Sequence, residues 1–407
     1  MNPFTALQDF FLEPEGRLRR TRILLIAFAL FLTGVGIAFV HSTTSAQGAP
    51  FPSPDALSQM RNTGVALLVL LAVIAIDYRF IERSAFPIYI VLVAVLVGLL
   101  IAKTAMGLDL IRWIPLGGIN IQPSELMKLS LILALARYLK FRSDTRRITG
   151  LIPPLLLTLV PFFLVMAQPN LGTALMFPPI LLGMLFLGGA RKGYLAAAIL
   201  VGLLVFLAVY LASEYVPILK PYQKERITQF FSNSQYQLQQ SILAVRWGGV
   251  VGMGYHQGDQ NTLGFLPYKH TDFIFAIICE EWGFVGASLI VLVFFLLVIL
   301  CLVVALHTRE PFGRLLAVAV AMSFAAQGLE NIGMNLGITP ITGVPLPFIS
   351  LGGSSLVTSF LALGLVLNVA FRNVRVVASQ DLNPVRESRV MIVIDDHPAG
   401  AQRFPER

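Results

Sequence analysis

The residues that could do chemistry are concentrated in the stretch "LPYKHTDFIFAIICEEWGFVG", residues 266–286. Five ionisable side chains fall within thirteen residues there: Lys269, His270, Asp272, Glu280 and Glu281. A carboxylate can take a proton from a substrate hydroxyl, and a lysine can stabilise negative charge that develops during a reaction. A long apolar run follows, and ionisable groups beside or inside a membrane tend to mark functional sites. The stretch is therefore the first candidate site.

Asp272 has two interpretations on the sequence alone. It lies where "FIFAIIC" is expected to begin a helix, so it can be an N-cap that accepts a hydrogen bond from a free amide. Thr271 could cap the same helix, which leaves Asp272 available for chemistry. A helix cap and a catalytic carboxylate both fit the local pattern.

The segment "QPSELMK", residues 122–128, is a second group of charged residues at the start of an apolar run. Pro123 and Glu125 suit the first turn of a helix and the positive end of its dipole. Lys128 lies one turn deeper, at the spacing of a Glu–Lys ion pair. A structural pair and a substrate-binding pair both fit this spacing.

Arg112 and Trp113 stand together in the loop before this segment. Trp113 is typical of an aromatic anchor at a membrane interface. Glu280 and Glu281 lie about two turns into the helix expected after "HTD", near roughly 12 Å of helix rise. We expect their carboxylates to form ion pairs with Lys128 or Arg112.

The elements that must position these residues are membrane helices. Of the 407 residues 56% are hydrophobic and 13% are charged, with a mean hydropathy of +0.76, whereas soluble proteins carry about 25% charged residues. Runs of about 20 apolar residues can span a bilayer as helices. The sequence contains ten of them, at about 22–40, 64–77, 85–103, 123–141, 151–167, 171–189, 194–212, 284–306, 314–335 and 354–371. The predicted fold class is an all-α polytopic membrane protein.

The distribution of Lys and Arg predicts the orientation of these spans. Alternate short connections hold seventeen Lys and Arg residues, and the other short connections hold three. Positively charged loops face the cytoplasm, so we expect both termini to be cytoplasmic and the long loop 213–272 to lie outside. The net charge of +8 follows from this bias and does not indicate a nucleic-acid partner. The two cysteines, Cys279 and Cys301, lie in apolar runs and are expected to remain unpaired.

Three other segments have expected structural roles. The Gly-rich piece "RWGGVVGMGYHQG" lacks the ending of a phosphate-binding loop, and tight backbone packing accounts for it better. The piece "ITGVPLPFISLGGSS", residues 341–355, is irregular backbone that needs cover from protein or a water-filled cavity, so it is expected to be a cavity wall. On the ninth span, four polar residues at helical spacing predict a hydrogen-bonding seam between helices: Gln327, Glu330, Asn331 and Asn335.

Five segments together resemble the SEDS family (shape, elongation, division and sporulation), in the order "RWIPLGGINIQPSELMK", "AQPNLGTAL", "PYQKERITQFF", "GFLPYKHTDFIFAIICEEWGFVG" and "NIGMNLGITPITGVPLPFISLGGSS". They cover the chain from about 22 to 375. The wording "NIGMN" before "TGVPLPFIS" favours the RodA branch over the sister FtsW branch. The resemblance implies that residues 22–375 form one ten-span domain. The Lys and Arg distribution predicts a cytoplasmic segment 1–21 and a cytoplasmic tail 376–407, and the polar, Pro-containing composition of the tail predicts disorder.

The resemblance also implies an activity. Members of the family are peptidoglycan glycosyltransferases of the bacterial cytoplasmic membrane that polymerise lipid II into undecaprenyl-diphosphate-linked glycan. RodA works in cell elongation with a class B penicillin-binding protein and other membrane proteins of the elongation complex. No cofactor is implied with certainty, and a divalent cation such as Mg²⁺ is one possible aid to the departing diphosphate.

The family's essential acid matches Asp272, which is expected to be the general base. The remaining candidates are expected to bind substrate, with the cations among them stabilising diphosphate: Arg112, Trp113, Glu125, Lys128, Lys269, His270, Glu280 and Glu281. This chain departs from the family at Tyr268, where Glu is usual, at Asn170, where Asp is usual, and in "ISLGGSS", where "ISYGGSS" is commoner.

Two other function classes stay open on the residues alone. Ten spans with polar seams would suit a transporter or lipid flippase, although transporters usually bind substrate near the midplane, whereas the charged residues here gather at the outer rim. A non-catalytic scaffold of a wall-synthesis complex would need no acid at position 272.

Overall fold

The computed structural model describes residues 14–105, 112–116, 119–141, 147–168, 170–212 and 235–381. These residues form thirteen helices and one β-hairpin. The segment "PYQKERITQFF" and the tail 382–407 lie outside the described residues. Seven described helices are long and apolar enough to cross a membrane, which agrees with the predicted polytopic all-α class.

Each predicted span overlaps a described helix. The helix bounds are α1 Pro14–Thr44, α2 Pro54–Ala75, α3 Tyr78–Ala105, α4 Pro123–Lys140, α5 Ile148–Ala167, α6 Leu171–Leu175, α7 Phe177–Leu187, α8 Lys192–Ala212, α9 Tyr236–Gly248, α10 Asp259–Thr262, α11 Ile274–His307, α12 Pro311–Asn335 and α13 Gly353–Asp381. Helices α2 and α11 begin about ten residues before the predicted starts at 64 and 284. Between α3 and α4, strand β1 Ile114–Leu116 pairs antiparallel with β2 Ile119–Ile121, and Pro115 lies opposite Asn120.

Three predicted spans are helical but fall outside the seven long apolar helices. Helix α4 is 18 residues long and carries four charged side chains: Glu125, Lys128, Arg137 and Lys140. The predicted span 171–189 is broken at Met176 into α6 and α7. In α8, the apolar helical portion Lys192–Gly202 is shorter than a membrane span needs.

Local sequence explains where several helices begin. Ser53 caps α2 by accepting a hydrogen bond from the Ala56 amide at 3.3 Å, and Pro54 occupies the first turn. Glu310 caps α12 in the same way, through the Gly313 amide at 2.7 Å. A side-chain acceptor at the cap satisfies an amide that has no partner inside the helix, and proline lacks the amide there.

Helices α12 and α13 form the centre of the bundle. Within an apolar stretch of 18 residues in each helix, 72% of the residues are buried in α12 and 78% in α13, compared with 17% in α3. Helix α12 contacts α4, α7, α11 and α13, while α13 packs mainly on α2. The C-terminal end of α12 and the N-terminal end of α13 therefore lie among the elements that carry the candidate site.

The two ends of the bundle differ in charge. At one end, Lys140 contacts the carboxylates of Glu82 at 3.0 Å and Glu310 at 2.6 Å, and Arg372 contacts Asp77 at 3.4 Å. This end contains loops of the predicted positive set. The opposite end holds the starts of α2, α4, α11 and α13 and the end of α12, and the cavity described below opens there.

The long loop 213–272 is partly helical in its described portion. It contains α9 and α10, and α9 packs against α11 and α12. Its Gly-rich segment packs tightly on α11, because a Cβ at Gly248 would lie 1.8 Å from the Cys279 carbonyl oxygen. Helix α11 is kinked at Gly283, where φ is 64°, a value that favours glycine. Tight backbone packing is confirmed for this segment, and Cys279 and Cys301 are buried free thiols.

The predicted orientation can be tested by cysteine labelling. Asp259 is exposed in the loop, so we expect Asp259→Cys, in a chain with Cys279 and Cys301 replaced by alanine, to react with a membrane-impermeant maleimide added from outside. The positive-inside distribution is the reason. Labelling only after the cytoplasmic face is exposed would contradict the orientation.

Candidate active site

A cavity of about 830 Å³ opens at the end of the bundle where α2, α4, α11 and α13 begin. Its walls come from α2, the hairpin segment 112–122, the turn 268–272 and the loop 341–355. Two carboxylates and one guanidinium line it among the described residues: Asp55, Asp272 and Arg112. Pockets of roughly 300–1,000 Å³ are typical of small-molecule sites.

Asp272 lies in a turn just before α11 and not at the helix cap. The helix begins at Ile274 with Phe273 at the cap position and no side-chain cap bond, so the N-cap interpretations of Asp272 and Thr271 are wrong. The Tyr268 carbonyl accepts the amides of Thr271 and Asp272, each at 3.1 Å. Tyr268 has a positive φ of 55°, which is uncommon for a residue other than glycine. This turn directs the backbone of Asp272 along the cavity wall.

The polar face of α12 holds the backbone of Asp272 in place. The Asn331 and Asn335 side-chain amides donate to the Asp272 carbonyl oxygen at 2.9 and 3.0 Å. Asn335 also accepts from the Ala276 amide at 3.0 Å, and Asn331 donates to the Val344 carbonyl at 2.8 Å. The predicted inter-helix seam is confirmed. Its role as the support of Asp272 was not predicted.

Removing one of these supports should loosen the site. In Asn331→Leu the carbonyls of Asp272 and Val344 lose a buried donor, which costs about 1–3 kcal/mol. We expect a lower melting temperature in detergent together with a clear fall in turnover. The matched control is Asn368→Leu, because Asn368 donates to the carbonyls of Val73 and Ile76 at the opposite end. The control should lose stability but keep its turnover, and equal losses of turnover would contradict the supporting role.

The loop 341–355 is the predicted cavity wall, and this prediction is confirmed. The Ser350 hydroxyl donates to the Thr271 carbonyl at 2.7 Å, and the Leu351 amide donates to the His270 carbonyl at 3.0 Å. Gly343 has φ +73°, and a Cβ there would lie 3.3 Å from Oδ2 of Asp272. The loop thus fixes the turn from a second side and leaves room for the carboxylate.

Arg112 and Trp113 line the cavity, as their predicted binding role requires. The Arg112 Nε donates to the Gln168 carbonyl at 3.3 Å, and Trp113 is 46% exposed. The neighbouring hairpin is held by the Gln122 amide, which donates to the Ser354 hydroxyl at 2.9 Å. A cation and an exposed aromatic ring therefore line the same cavity.

Glu125 and Lys128 form the predicted ion pair, with Nζ and Oε2 3.0 Å apart. Both side chains are buried, and Lys128 also donates to Oε1 of Gln327 at 3.1 Å. Neither residue lines the main cavity, since they face a small void between α4, α12 and α13. The structure thus places this pair beneath the site, where it joins two of the helices that support it.

Glu280 and Glu281 lie apart from Asp272. Both are fully buried. Glu280 accepts from the backbone amides of Gln260 and Asn261 at 2.7 and 3.3 Å, and Glu281 accepts from Asn261 Nδ2 at 2.7 Å. The predicted ion pairs with Lys128 or Arg112 are wrong. These carboxylates instead bind the loop that contains α10 and hold this loop against α11.

Lys269 and His270 also lie outside the residues that line the cavity. The Lys269 ammonium donates to Oδ1 of Asn261 at 2.9 Å. Burial lowers the pKa of Lys269, and the charges of Glu280 and Glu281 partly oppose this effect. Burial also lowers the pKa of His270. The ionisable stretch thus divides into Asp272 at the cavity, the half-buried His270, and a separate network of Lys269, Glu280 and Glu281 around Asn261.

The described residues offer few protein ligands for a divalent cation. Within the described ranges, no group of three or more His, Cys, Asp or Glu side chains could hold a metal ion. Mg²⁺ held by substrate phosphates needs only one or two protein carboxylates, which Asp272 and Asp55 could supply from the cavity wall.

The positions that depart from the resembled family all line the cavity: Asn170, Tyr268 and Leu351. Asn170 caps α6 through the Thr173 amide at 3.4 Å and donates to the Ser124 hydroxyl at 3.2 Å. Three residues of the α2 wall were not predicted as site residues, because the predicted span began only at residue 64: Asp55, Ser58 and Asn62. Hydropathy does not detect a helix start whose first turn is polar. Ser53 and Pro54 nevertheless match the residue types that are typical of a helix start.

Known proteins resemble this chain over most of its length. The family model of the cell cycle proteins FtsW, RodA and SpoVE matches residues 21–374. Stage V sporulation protein E of Bacillus subtilis is 34% identical over 361 residues, 86% of this chain and 96% of that protein. A probable peptidoglycan glycosyltransferase FtsW of Trichlorobacter lovleyi is 33% identical, covering 87% and 94%. Peptidoglycan glycosyltransferase RodA of Treponema pallidum is 30% identical, covering 86% and 97%.

Solved structures share the fold. A chain from a peptidoglycan synthase complex that coordinates polymerization and crosslinking aligns with a TM-score of 0.70 and 29% identity, covering 86% of this chain and 97% of that one. The rod shape determining protein RodA of Thermus thermophilus aligns with a TM-score of 0.64 and 27% identity, covering 86% and 96%. From residue 21 to 374, the chain belongs to the FtsW/RodA/SpoVE family of cell cycle proteins.

Proposed function

We propose that this protein is a peptidoglycan glycosyltransferase that polymerises lipid II, with Asp272 as the general base on the acceptor hydroxyl. The observation that carries the proposal is the shared cavity of Asp272 and Arg112, at the end of the bundle that the positive-inside distribution places outside. The names of relatives similar over more than four fifths of the chain support the activity.

The reaction needs one proton acceptor. A lone pair of the acceptor hydroxyl oxygen attacks the anomeric carbon of the donor sugar and forms the new glycosidic bond. The bond from that carbon to the diphosphate oxygen breaks, and its electron pair leaves with the diphosphate. Asp272 takes the hydroxyl proton, a role that typically contributes about 10²–10⁴ in rate. The activated leaving group needs little acid assistance, so one carboxylate is enough.

Arg112 is the cation best placed to stabilise the leaving diphosphate. Of the three predicted cations, only Arg112 lines the cavity, and Lys128 and Lys269 lie outside its walls. Positive charge aimed at a developing anion is most effective when it is fixed in advance. Trp113 adds an exposed ring on the same wall.

The other candidate residues support substrate binding indirectly, because their contacts join the elements that form the site. The Glu125–Lys128 pair joins α4 to α12 through Gln327. Glu280 and Glu281 fasten the loop before α11, and His270 joins that loop to Leu351 through its carbonyl.

The cellular setting extends the same proposal. The protein lies in the bacterial cytoplasmic membrane with both termini inside, and it serves cell elongation, as "NIGMN" before "TGVPLPFIS" favours. Its partners are a class B penicillin-binding protein, other membrane proteins of the elongation complex, and undecaprenyl-diphosphate-linked glycan as product. Similarity to a chain of a peptidoglycan synthase complex supports a crosslinking partner.

The activity can be tested in detergent micelles. Purified protein is incubated with lipid II, and the products are separated by glycan length, with and without a penicillin-binding protein whose transpeptidase is inactivated. We expect glycan strands of several repeats. A flippase or a scaffold forms no glycosidic bond in a micelle, so wild-type protein that leaves lipid II unchanged under both conditions would overturn the proposal.

A further inference from the structure

The first two turns of α2 present a polar face to the cavity region. Asp55, Ser58, Gln59 and Asn62 follow one another at helical spacing, which places them on one side of the helix. Gln59 is used for structure: its Nε2 donates to the Ser350 carbonyl at 3.0 Å, and its Oε1 accepts from the Gly352 amide at 3.4 Å. Since Ser350 also binds the Thr271 carbonyl, this wall is continuous with the Asp272 turn.

Asn62 lies one turn beyond Gln59 and differs from it. The residue is 7% exposed and lines the cavity, and no hydrogen bond joins its side-chain amide to any residue that the structure describes. It lies close to the wall loop, because a Cβ at Gly353 would be 3.0 Å from Nδ2 of Asn62. The amide is open to the cavity, and its two donors and its acceptor oxygen can bind a ligand there.

We propose that Asn62 binds a sugar of the lipid-linked substrate, through a hydroxyl or N-acetyl group; this inference rests on the proposed function. A sugar supplies both donors and acceptors, as the amide requires. Asp55 lies on the same wall, where its negative charge repels a diphosphate that no cation bridges, so the diphosphate belongs at Arg112. The exposed rings of Trp113 and Tyr268 complete a polar and aromatic lining.

The experiment separates sugar binding from binding of the lipid diphosphate. Asn62→Leu keeps the side-chain volume but removes the amide, and Asn62→Ala is a second variant that cannot press on Gly353. The control is Thr63→Val, since the Thr63 hydroxyl donates to the Gln59 carbonyl within α2 and Thr63 is not among the described residues that line the cavity. For each protein we would measure kcat and KM for lipid II, and the inhibition constant of sugar-free undecaprenyl diphosphate.

We expect both Asn62 variants to raise KM for lipid II about 10-fold, the effect of roughly one lost hydrogen bond, with kcat and the inhibition constant changed less than about twofold. Thr63→Val should match wild type. An unchanged KM, or an equal weakening of lipid II and undecaprenyl diphosphate, would overturn the sugar contact while wild-type polymerisation still stands. Failure of the proposed function would appear differently, as the absence of glycan from wild-type protein.

Discussion

Replacing Asp272 by asparagine is expected to lower the rate of glycan synthesis from lipid II by about 10²–10⁴ without unfolding the protein. Asparagine has nearly the same shape but cannot accept the hydroxyl proton. The backbone contacts of the Asp272 carbonyl with Asn331 and Asn335 do not depend on the carboxylate. Glycan yield and the melting temperature in detergent are measured on the same preparation.

A matched control is Asp259→Asn, which removes an exposed carboxylate outside the cavity. This variant should make glycan at the wild-type rate. The Asp272→Asn protein should still co-purify with the class B penicillin-binding protein. Loss of activity in a variant that still assembles with its partner is an outcome that a pure scaffold cannot explain. Glycan synthesis by Asp272→Asn within about threefold of wild type would be too small a loss for a general base.

The second large effect is expected at the buried ion pair. Lys128→Met removes the cation from the Glu125 carboxylate and from Gln327, and breaking a buried pair on one side costs about 3–5 kcal/mol. We expect a large fall in melting temperature and a strong loss of polymerisation. The double variant Glu125→Gln/Lys128→Met has no uncompensated charge and should recover most of the stability.

The recovery of activity distinguishes the two interpretations of the pair. If Glu125 and Lys128 support the site from beneath, polymerisation should return in the double variant together with stability. A double variant that is as stable as wild type but remains inactive would instead place Lys128 in direct contact with substrate, contrary to its position outside the main cavity.

Local patterns in the sequence predicted those features whose partners are local. The Glu125–Lys128 contact follows from residues one turn apart on a helix, and the polar seam on α12 follows from helical spacing. The irregular loop 341–355 could be recognised as a cavity wall, because exposed backbone polar groups cannot face lipid.

Features that depend on distant partners could not be predicted in this way. Ser42 and Asn261 surround the Glu281 carboxylate, and Ser42 lies 239 residues away in the chain. The roles of Glu280 and Glu281 were therefore misassigned as ion pairs at the catalytic rim. Asn62 was missed for a different reason: the polar first turns of α2 lower its hydropathy, although they face the cavity and not lipid.

The most direct test of the account is a single-turnover comparison of wild-type protein and Asp272→Asn with lipid II already bound. Binding of fluorescent lipid II is measured first, and glycosidic bond formation is then followed over time in the same samples. The account predicts equal binding and a bond-forming rate at least about 10²-fold lower in the variant. Equal rates would contradict the role of Asp272 as the base, and so would a loss of binding large enough to explain the loss of rate.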